Sequence, residues 1–176
     1  MINVHRITSK EDPFYPQVMA LYAESFPLHE QRLSASQCRI LSHPEFHCTA
    51  LLEDQQFAGF LFFWETDDFC YVEHFAISPA LRGQNLGSRA LPVLLDGQKP
   101  VILEIDPLTT EIAVRRKGFY ERLGFCTTPY PHVHPPYRKD FEGHALLVLS
   151  YPAAISEAEY QTFSTYLNQV VMKDVF

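Results

Sequence analysis

The chain has 176 residues, of which 47% are hydrophobic and 14% aromatic, enough to build one folded domain with a real core and too much for a disordered segment. Its net charge of −7 argues against a general nucleic-acid binder, which carries a basic excess, and is compatible with a cationic or amine-bearing substrate. Cys38, Cys48, Cys70 and Cys126 form no Cys-x-x-Cys pair, so neither a zinc knuckle nor a redox motif is indicated. Cys70 and Cys126 adjoin apolar runs and read as buried thiols. The longest apolar run, Phe57–Trp64, falls far short of the roughly 20 residues a bilayer span needs. The first residues lack a signal-peptide pattern, and a cytoplasmic protein is expected.

Ile2–Ile7 alternates like an opening strand. Asp12-Pro13 predicts a helix start, and Val18, Leu21, Tyr22 and Phe26 fall at helical spacing before Pro27 ends the element. Ser34 or Ser36 caps a short second helix running to Leu41, which His43-Pro44 breaks. Phe46–Glu53, Phe57–Thr66 and Phe69–Ile77 read as three strands joined by short turns, hence antiparallel hairpins. Gly87–Leu95 predicts a helix with Pro92 inside it, so a short or bent one. Val101–Ile105 is a continuous apolar strand carrying Glu104. Thr110–Leu123 is a helix, with Gly124 as its terminator. Phe125–Thr128 starts a strand, Pro129–Gly143 is a long Pro/His/Tyr loop, and Ala145–Tyr151 is the last strand. Ser156-Glu157-Ala158-Glu159 then caps a final helix to about Met172. The expected fold is a mixed α/β (α+β) sheet of about seven strands with helices on both faces, as a single domain over residues 1–176.

Tyr71–Leu91 carries the strongest chemical signal. An apolar strand containing Glu73 ends at Ser78-Pro79, and Arg82-Gly83-Gln84-Asn85-Leu86-Gly87-Ser88 turns directly into a helix. Backbone N–H groups that converge where a helix dipole is positive make an anion site. A second motif, Gly118-Phe119-Tyr120-Glu121-Arg122-Leu123-Gly124-Phe125, lies one strand and one helix further on. Together these resemble the GNAT (Gcn5-related N-acetyltransferase) superfamily. The first is similar to that family's pyrophosphate loop after its fourth strand, and the second to its Phe-Tyr-x-x-Leu-Gly-Phe signature. Asn85 departs from the pattern, since the family most often has Gly there, but Asn is the best non-Gly residue for positive φ.

The resemblance implies a mostly antiparallel sheet splayed between the fourth and fifth strands, and an acetyl-CoA-dependent N-acetyltransferase that joins thioester and amine in a ternary complex. It implies that backbone groups of Phe75, Ala76 and Ile77 bind the pantetheine. It also implies that Arg82, Gly83, Gln84, Asn85, Leu86, Gly87 and Ser88 hold the pyrophosphate, and that Tyr120 is the general acid toward the CoA sulfur. Glu73 is the candidate general base: strict alternation puts it on one face with Phe75 and Ile77, partly desolvated, with its pKa raised. Glu104 competes with it, and a water chain is the third alternative. His74, on the opposite face, reads as a core histidine. Glu30, His132, His134 and Tyr137 are candidate acceptor contacts with Glu104, from segments that would flank the acceptor side. His132 and His134 lack a third ligand at recognisable spacing, so no metal is expected. Arg115-Arg116-Lys117 reads as a solvated helix face. The acceptor is expected to be a small or amino-acid-like amine; a protein or peptide amine, or a non-catalytic acyl-CoA-binding module, are the alternatives. No nucleic-acid or membrane partner is expected, and a homodimer through the last strands and helix is the candidate assembly.

Overall fold

A computed structural model describes residues 2–95 and 98–176. Eight strands form one sheet: β1 (Ile2–Ile7), β2 (Phe46–Glu53), β3 (Gln56–Glu65), β4 (Cys70–Ile77), β5 (Val101–Ile105), β6 (Cys126–Thr127), β7 (His132–His134) and β8 (His144–Tyr151). Their order is β1-β2-β3-β4-β5-β8-β6, with β7 pairing the start of β8. The long loop therefore contains a strand that its prolines concealed, because His132–His134 pairs antiparallel with His144–Leu146. Every pairing is antiparallel except that of β4 with β5.

Local sequence accounts for most element ends. Asp54 and Gln55 both take positive φ, 49° and 68°, in the two-residue turn between β2 and β3, the geometry whose twist matches a tight hairpin. Helix α1 (Tyr15–Ser25) starts two residues later than expected, with Asp12 accepting the Phe14 N–H rather than capping the helix itself. Helix α2 is Ser34–Ile40. Helix α3 (Leu86–Ala90) passes into a 3-10 turn at Leu91–Leu94, as Pro92 requires. Helix α4 (Glu111–Arg122) is capped by the Thr110 side chain, and Gly124 past its end has φ 95°. Helix α5 (Glu157–Tyr166) carries the expected Ser156/Glu159 capping box and runs into a π-helical turn at Leu167–Val171.

The sheet has a core on each face. On one, Tyr22, Phe60, Phe62, Trp64, Tyr71 and Phe163 pack under α1 and α5. On the other, Leu61, Val72, Leu91, Leu103, Tyr120 and Phe125 pack under α3 and α4. Cys70 is buried, as expected, whereas Cys126 is exposed because β6 is a two-residue edge strand. No helix among the described residues is long and apolar enough to cross a membrane.

Two irregularities of β4 position everything that follows. It pairs with β5 only through Cys70, Tyr71 and Val72, opposite Val101, Ile102 and Leu103. Beyond these the strands part, and Glu73 and Glu104 are the first residues past the fork. Against β3, the register jumps between Phe62↔His74 and Phe63↔Val72, so Glu73 is the extra residue of a β-bulge. Strict alternation is thereby broken. Glu73 and His74 both turn toward the α1/α5 face, where each meets Tyr137, while Phe75 and Ile77 pack on the other face. The expectation that Glu73 shares a face with Phe75 and lies opposite His74 is corrected by this one extra residue.

The upper half of β4 lies so close to β3 that a Cβ on Gly59 would stand 2.4 Å from the Ala76 carbonyl oxygen. Gly59→Ala is expected to force the strands apart and to lower stability by about 1–3 kcal/mol, read as a lower midpoint in urea unfolding.

Candidate active site

The parted strands open a cleft of about 700 Å³ whose walls include β4 from Val72 to Ile77, the Arg82–Ser88 turn, and Ile112, Phe119 and Tyr120 of α4. Past Val72 the β5-side edge of β4 has no strand partner, so its outward N–H and C=O groups face the cleft. The turn has the geometry an anion site needs. Gly83 and Asn85 take φ of 81° and 56°, and the N–H groups from Gly83 to Ser88 find no backbone acceptor among the described residues. Asn85 thus supplies the left-handed residue that the motif needs, and α3 begins directly after it. Gly87 seats α3 against α4, since a Cβ there would meet the Phe119 ring at 3.2 Å. Gln84 is exposed and, unlike its neighbours Gly83 and Asn85, does not line the cleft.

Arg115 and Arg116 also line the cleft, although their ion pairs with Glu111 and Asp106 are those of an exposed helix face. Tyr120 turns into the cleft with no hydrogen-bond partner for its hydroxyl among the described residues. Burial pushes its pKa up to about 12, so it remains a neutral phenol.

At the fork the cleft adjoins a smaller chamber of about 70 Å³, with Glu73, His74, Glu104, Phe26 and Arg116 in the walls of both. Glu30, Asp106, His134, Tyr137 and His144 also line it, with Ile105 and Leu146. Glu30, Glu73, Glu104, His134 and Tyr137, singled out separately in the sequence, converge here from four segments. His132 does not reach the chamber. It lies behind Glu104, hydrogen-bonded to that carboxylate through Nε2 and to the Tyr160 hydroxyl through Nδ1 at 2.9 Å. Its predicted acceptor contact is replaced by support of Glu104.

Neither carboxylate at the fork is arranged as the expected base. Glu73 takes Arg32 Nη2 at 2.9 Å, Trp64 Nε1 at 2.7 Å and the Tyr137 hydroxyl at 2.9 Å. Both members of its ion pair with Arg32 have side chains only 1% exposed. Burial alone would raise its pKa, but the Arg32 and His74 charges and the Trp64 and Tyr137 donors outweigh it, and the carboxyl falls below its usual value. The bulge and the arginine together overturn the expectation of a raised pKa. For Glu104 burial again opposes, but the neighbouring His134, the hydrogen bond from His132 and the Tyr71 hydroxyl at 2.5 Å pull the carboxyl down to about 2. Both residues supply fixed negative charge. Glu30 differs, since burial and the nearby Asp106 raise it.

His74 is the core histidine that was expected. Its Nε2 donates to the Glu30 carbonyl at 2.9 Å, and burial lowers its pKa to about 4. Arg32, Trp64, Tyr71 and His144 carry no sequence signal of their place here. Arg32 lies 41 residues from Glu73 and meets it only because the chain after α1 crosses the end of β4. Among the described residues, no cluster of three or more His, Cys, Asp or Glu side chains could hold a metal ion.

A mixed sheet with one parallel pair that parts beside an anion-binding turn, flanked by helices on both faces, defines an acetyltransferase-type fold. The sequence profile of the Acetyltransferase (GNAT) family matches residues 13–125, and the chain belongs to that family. A solved structure from Bacteroides thetaiotaomicron, described as a "putative acetyltransferase from GNAT family", is 30% identical over 97% of this chain and 98% of its own, with a TM-score of 0.90. The "putative acetyltransferase YjbC" of Bacillus subtilis (strain 168) is 29% identical over 107 residues, 58% of this chain and 53% of that protein. The match thus spans about half the length of that curated relative. At 18% identity, Arabidopsis thaliana Naa50, solved with the bisubstrate analogue CoA-Ac-MVNAL, shares the fold with a TM-score of 0.60 over 85% of this chain and 97% of its own.

Two measurements check the electrostatics of the fork. Glu73→Gln leaves Arg32 charged and buried without its counter-ion, so unfolding at neutral pH is expected to become easier by about 3–5 kcal/mol. Acid titration of wild-type stability should show two limbs. His74 is neutral in the fold, with a value near 4 against 6.5 for the free side chain, so the unfolded chain takes the proton first. Its contribution is complete above about 6.5 and is lost as pH falls to about 4, at up to about 1.4 kcal/mol per pH unit. Glu104, lowered from 4.5 to about 2, adds a second loss across that lower window.

Proposed function

We propose that this chain transfers the acetyl group of acetyl-CoA to the primary amine of a small or amino-acid-like acceptor, by direct attack in a ternary complex. The observation that carries this reading is the meeting of two spaces at one fork. A long cleft with a free strand edge and an anion-binding turn adjoins a small acidic chamber, and the two share Glu73, His74 and Glu104. The turn suits a pyrophosphate through the N–H groups of Gly83 to Ser88, with Arg82, Arg115 and Arg116 adding positive charge nearby. The open edge of β4 at Phe75, Ala76 and Ile77 suits the amides of a pantetheine arm, which would extend it like a short added strand. That the Naa50 relative holds a CoA analogue on the same fold supports this placement.

In this reading the thioester lies at the fork and supplies an activated acyl carbon. Holding it against the amine converts a bimolecular encounter into an intramolecular one, an effect worth up to about 7–11 kcal/mol at ideal geometry. Backbone N–H groups of β4 beside Ala76 polarise the thioester carbonyl. The chamber draws in an ammonium through the charges of Glu73 and Glu104, both ionised across the neutral range. Its small volume suits a slender primary amine better than a peptide. Tyr120, a neutral phenol with a free hydroxyl, donates its hydrogen bond to the departing sulfur.

Thiol release from acetyl-CoA across a panel of primary amines tests the function. Release with at least one amine is expected; tight binding of acetyl-CoA with no release on any amine would show a binding module instead. Tyr120→Phe is expected to lower kcat by about 10²-fold with little change in KM for acetyl-CoA, and unchanged turnover would remove Tyr120 from the mechanism.

A further inference from the structure

With both fork carboxylates held by donors that keep them ionised, the proton of the acceptor ammonium has no destination among Glu73 and Glu104. One chamber group does have room for it. His134 is 2% exposed, and its Nδ1 lies 2.6 Å from the Pro135 carbonyl oxygen. A carbonyl only accepts, so Nδ1 carries the hydrogen and, in the neutral ring, Nε2 carries the lone pair. That Nε2 is buried and has no hydrogen-bond partner among the described residues. A buried, unpaired ring nitrogen costs stability unless something binds it.

Glu104 Oε2 lies 3.9 Å from the same nitrogen. Two acceptors at that separation can both be reached by a single ammonium nitrogen at hydrogen-bond length, about 2.9 Å from each. Each bond needs the other, because an ammonium held only by Glu104 keeps its proton and a lone imidazole does not attract a cation. The ring itself is held in place, since Tyr137 stacks on it with centroids 4.9 Å apart and His144 lies 5.8 Å away.

We infer that His134 is the general base, receiving the acceptor's proton at Nε2 directly or through one water, with Glu104 as counter-charge to the imidazolium that forms. This rests on the acetyltransferase reading above. In the step, an N–H bond of the ammonium breaks and a proton moves to Nε2, leaving the amine lone pair free. The C–N bond forms, the C–S bond breaks with its electron pair passing to sulfur, and the second amine proton goes to the sulfur to give the thiol. The Nε2 proton returns to solvent with product release. Around the ring, Glu104 from β5 and Glu30 from the turn after α1 favour its charged form. His74 on β4 and His144 on β8 oppose that form when they are themselves charged.

The test uses the full chain and the best amine of the panel, with kcat and KM followed from pH 6 to pH 10 for wild type and His134→Gln. The variant is expected to lose about 10²-fold or more in kcat at neutral pH, to keep its KM for acetyl-CoA, and to regain rate with a log–log slope near one as pH releases free amine. A variant with wild-type kcat and pH profile overturns the assignment while leaving the acetyltransferase reading intact. Wild-type protein that binds acetyl-CoA and acetylates no amine overturns both. Should His134→Gln not fold, ¹⁵N NMR of the wild-type imidazoles decides: an Nδ1-protonated His134 whose Nε2 signal moves on saturation with the amine supports the base. An Nε2-protonated tautomer refutes it.

Discussion

The structure depends on the point where β4 and β5 stop pairing. Three residue pairs hold the strands together, ending at Val72 and Leu103, and among the described residues no backbone hydrogen bond joins them further. An unpaired strand edge inside a sheet is costly unless another chain or ligand satisfies it. Here the edge faces a cleft instead of solvent at a sheet margin. The fork also decides where charge can sit, because Glu73 and Glu104, the first residues beyond the last pair, are the ones that adjoining strands no longer cover. Cleft, chamber and carboxylates all follow from one interruption of a ladder.

A buried ion pair sits at the fork. Arg32 reaches Glu73 with Nη2 and the Val171 carbonyl with the same nitrogen at 2.7 Å, so one guanidinium ties the turn after α1 and the C-terminal segment to the bulge of β4. Such a pair adds little net stability over an apolar substitute, since desolvating both charges offsets their attraction. What it contributes is geometry. Glu73 is left with fixed charge and no spare acceptor role, and the chamber gains an electrostatic field without gaining a titrating carboxyl. Glu104, bound by Tyr71 and His132, repeats the arrangement on the opposite strand. The group left unsatisfied, His134 Nε2, stands out against two neighbours held by donors.

Much of the fold was legible because its signals are local. The Asp54-Gln55 turn, the Pro92 break, the Ser156 capping box and the Gly124 stop each act within a few residues, and each appears where the sequence places it. The two motifs of the cofactor side are equally local, being a strand, a turn and a helix start that lie together in the chain. The acceptor side was legible only as a list of residue types. Glu30, Glu104, His134 and Tyr137 were named, but their roles depend on contacts between segments far apart in sequence. His132 shows the limit: two positions from His134 and on the same strand, it has a wholly different task because Glu104 lies between it and the chamber.

By itself, then, the sequence determined the order of elements apart from β7, the left-handed turn after β4 and the family, since periodicity, capping and left-handed turn residues need no distant partner. Only the tertiary structure decided that neither fork carboxylate is arranged as a base. The single extra residue at Glu73 puts that side chain on the same face as His74, and no periodic reading of a strand can foresee a bulge set by its partner. Protonation followed from that, because the pKa of a buried group is set by the donors that folding brings to it, here Arg32, Trp64 and Tyr137 from three different segments.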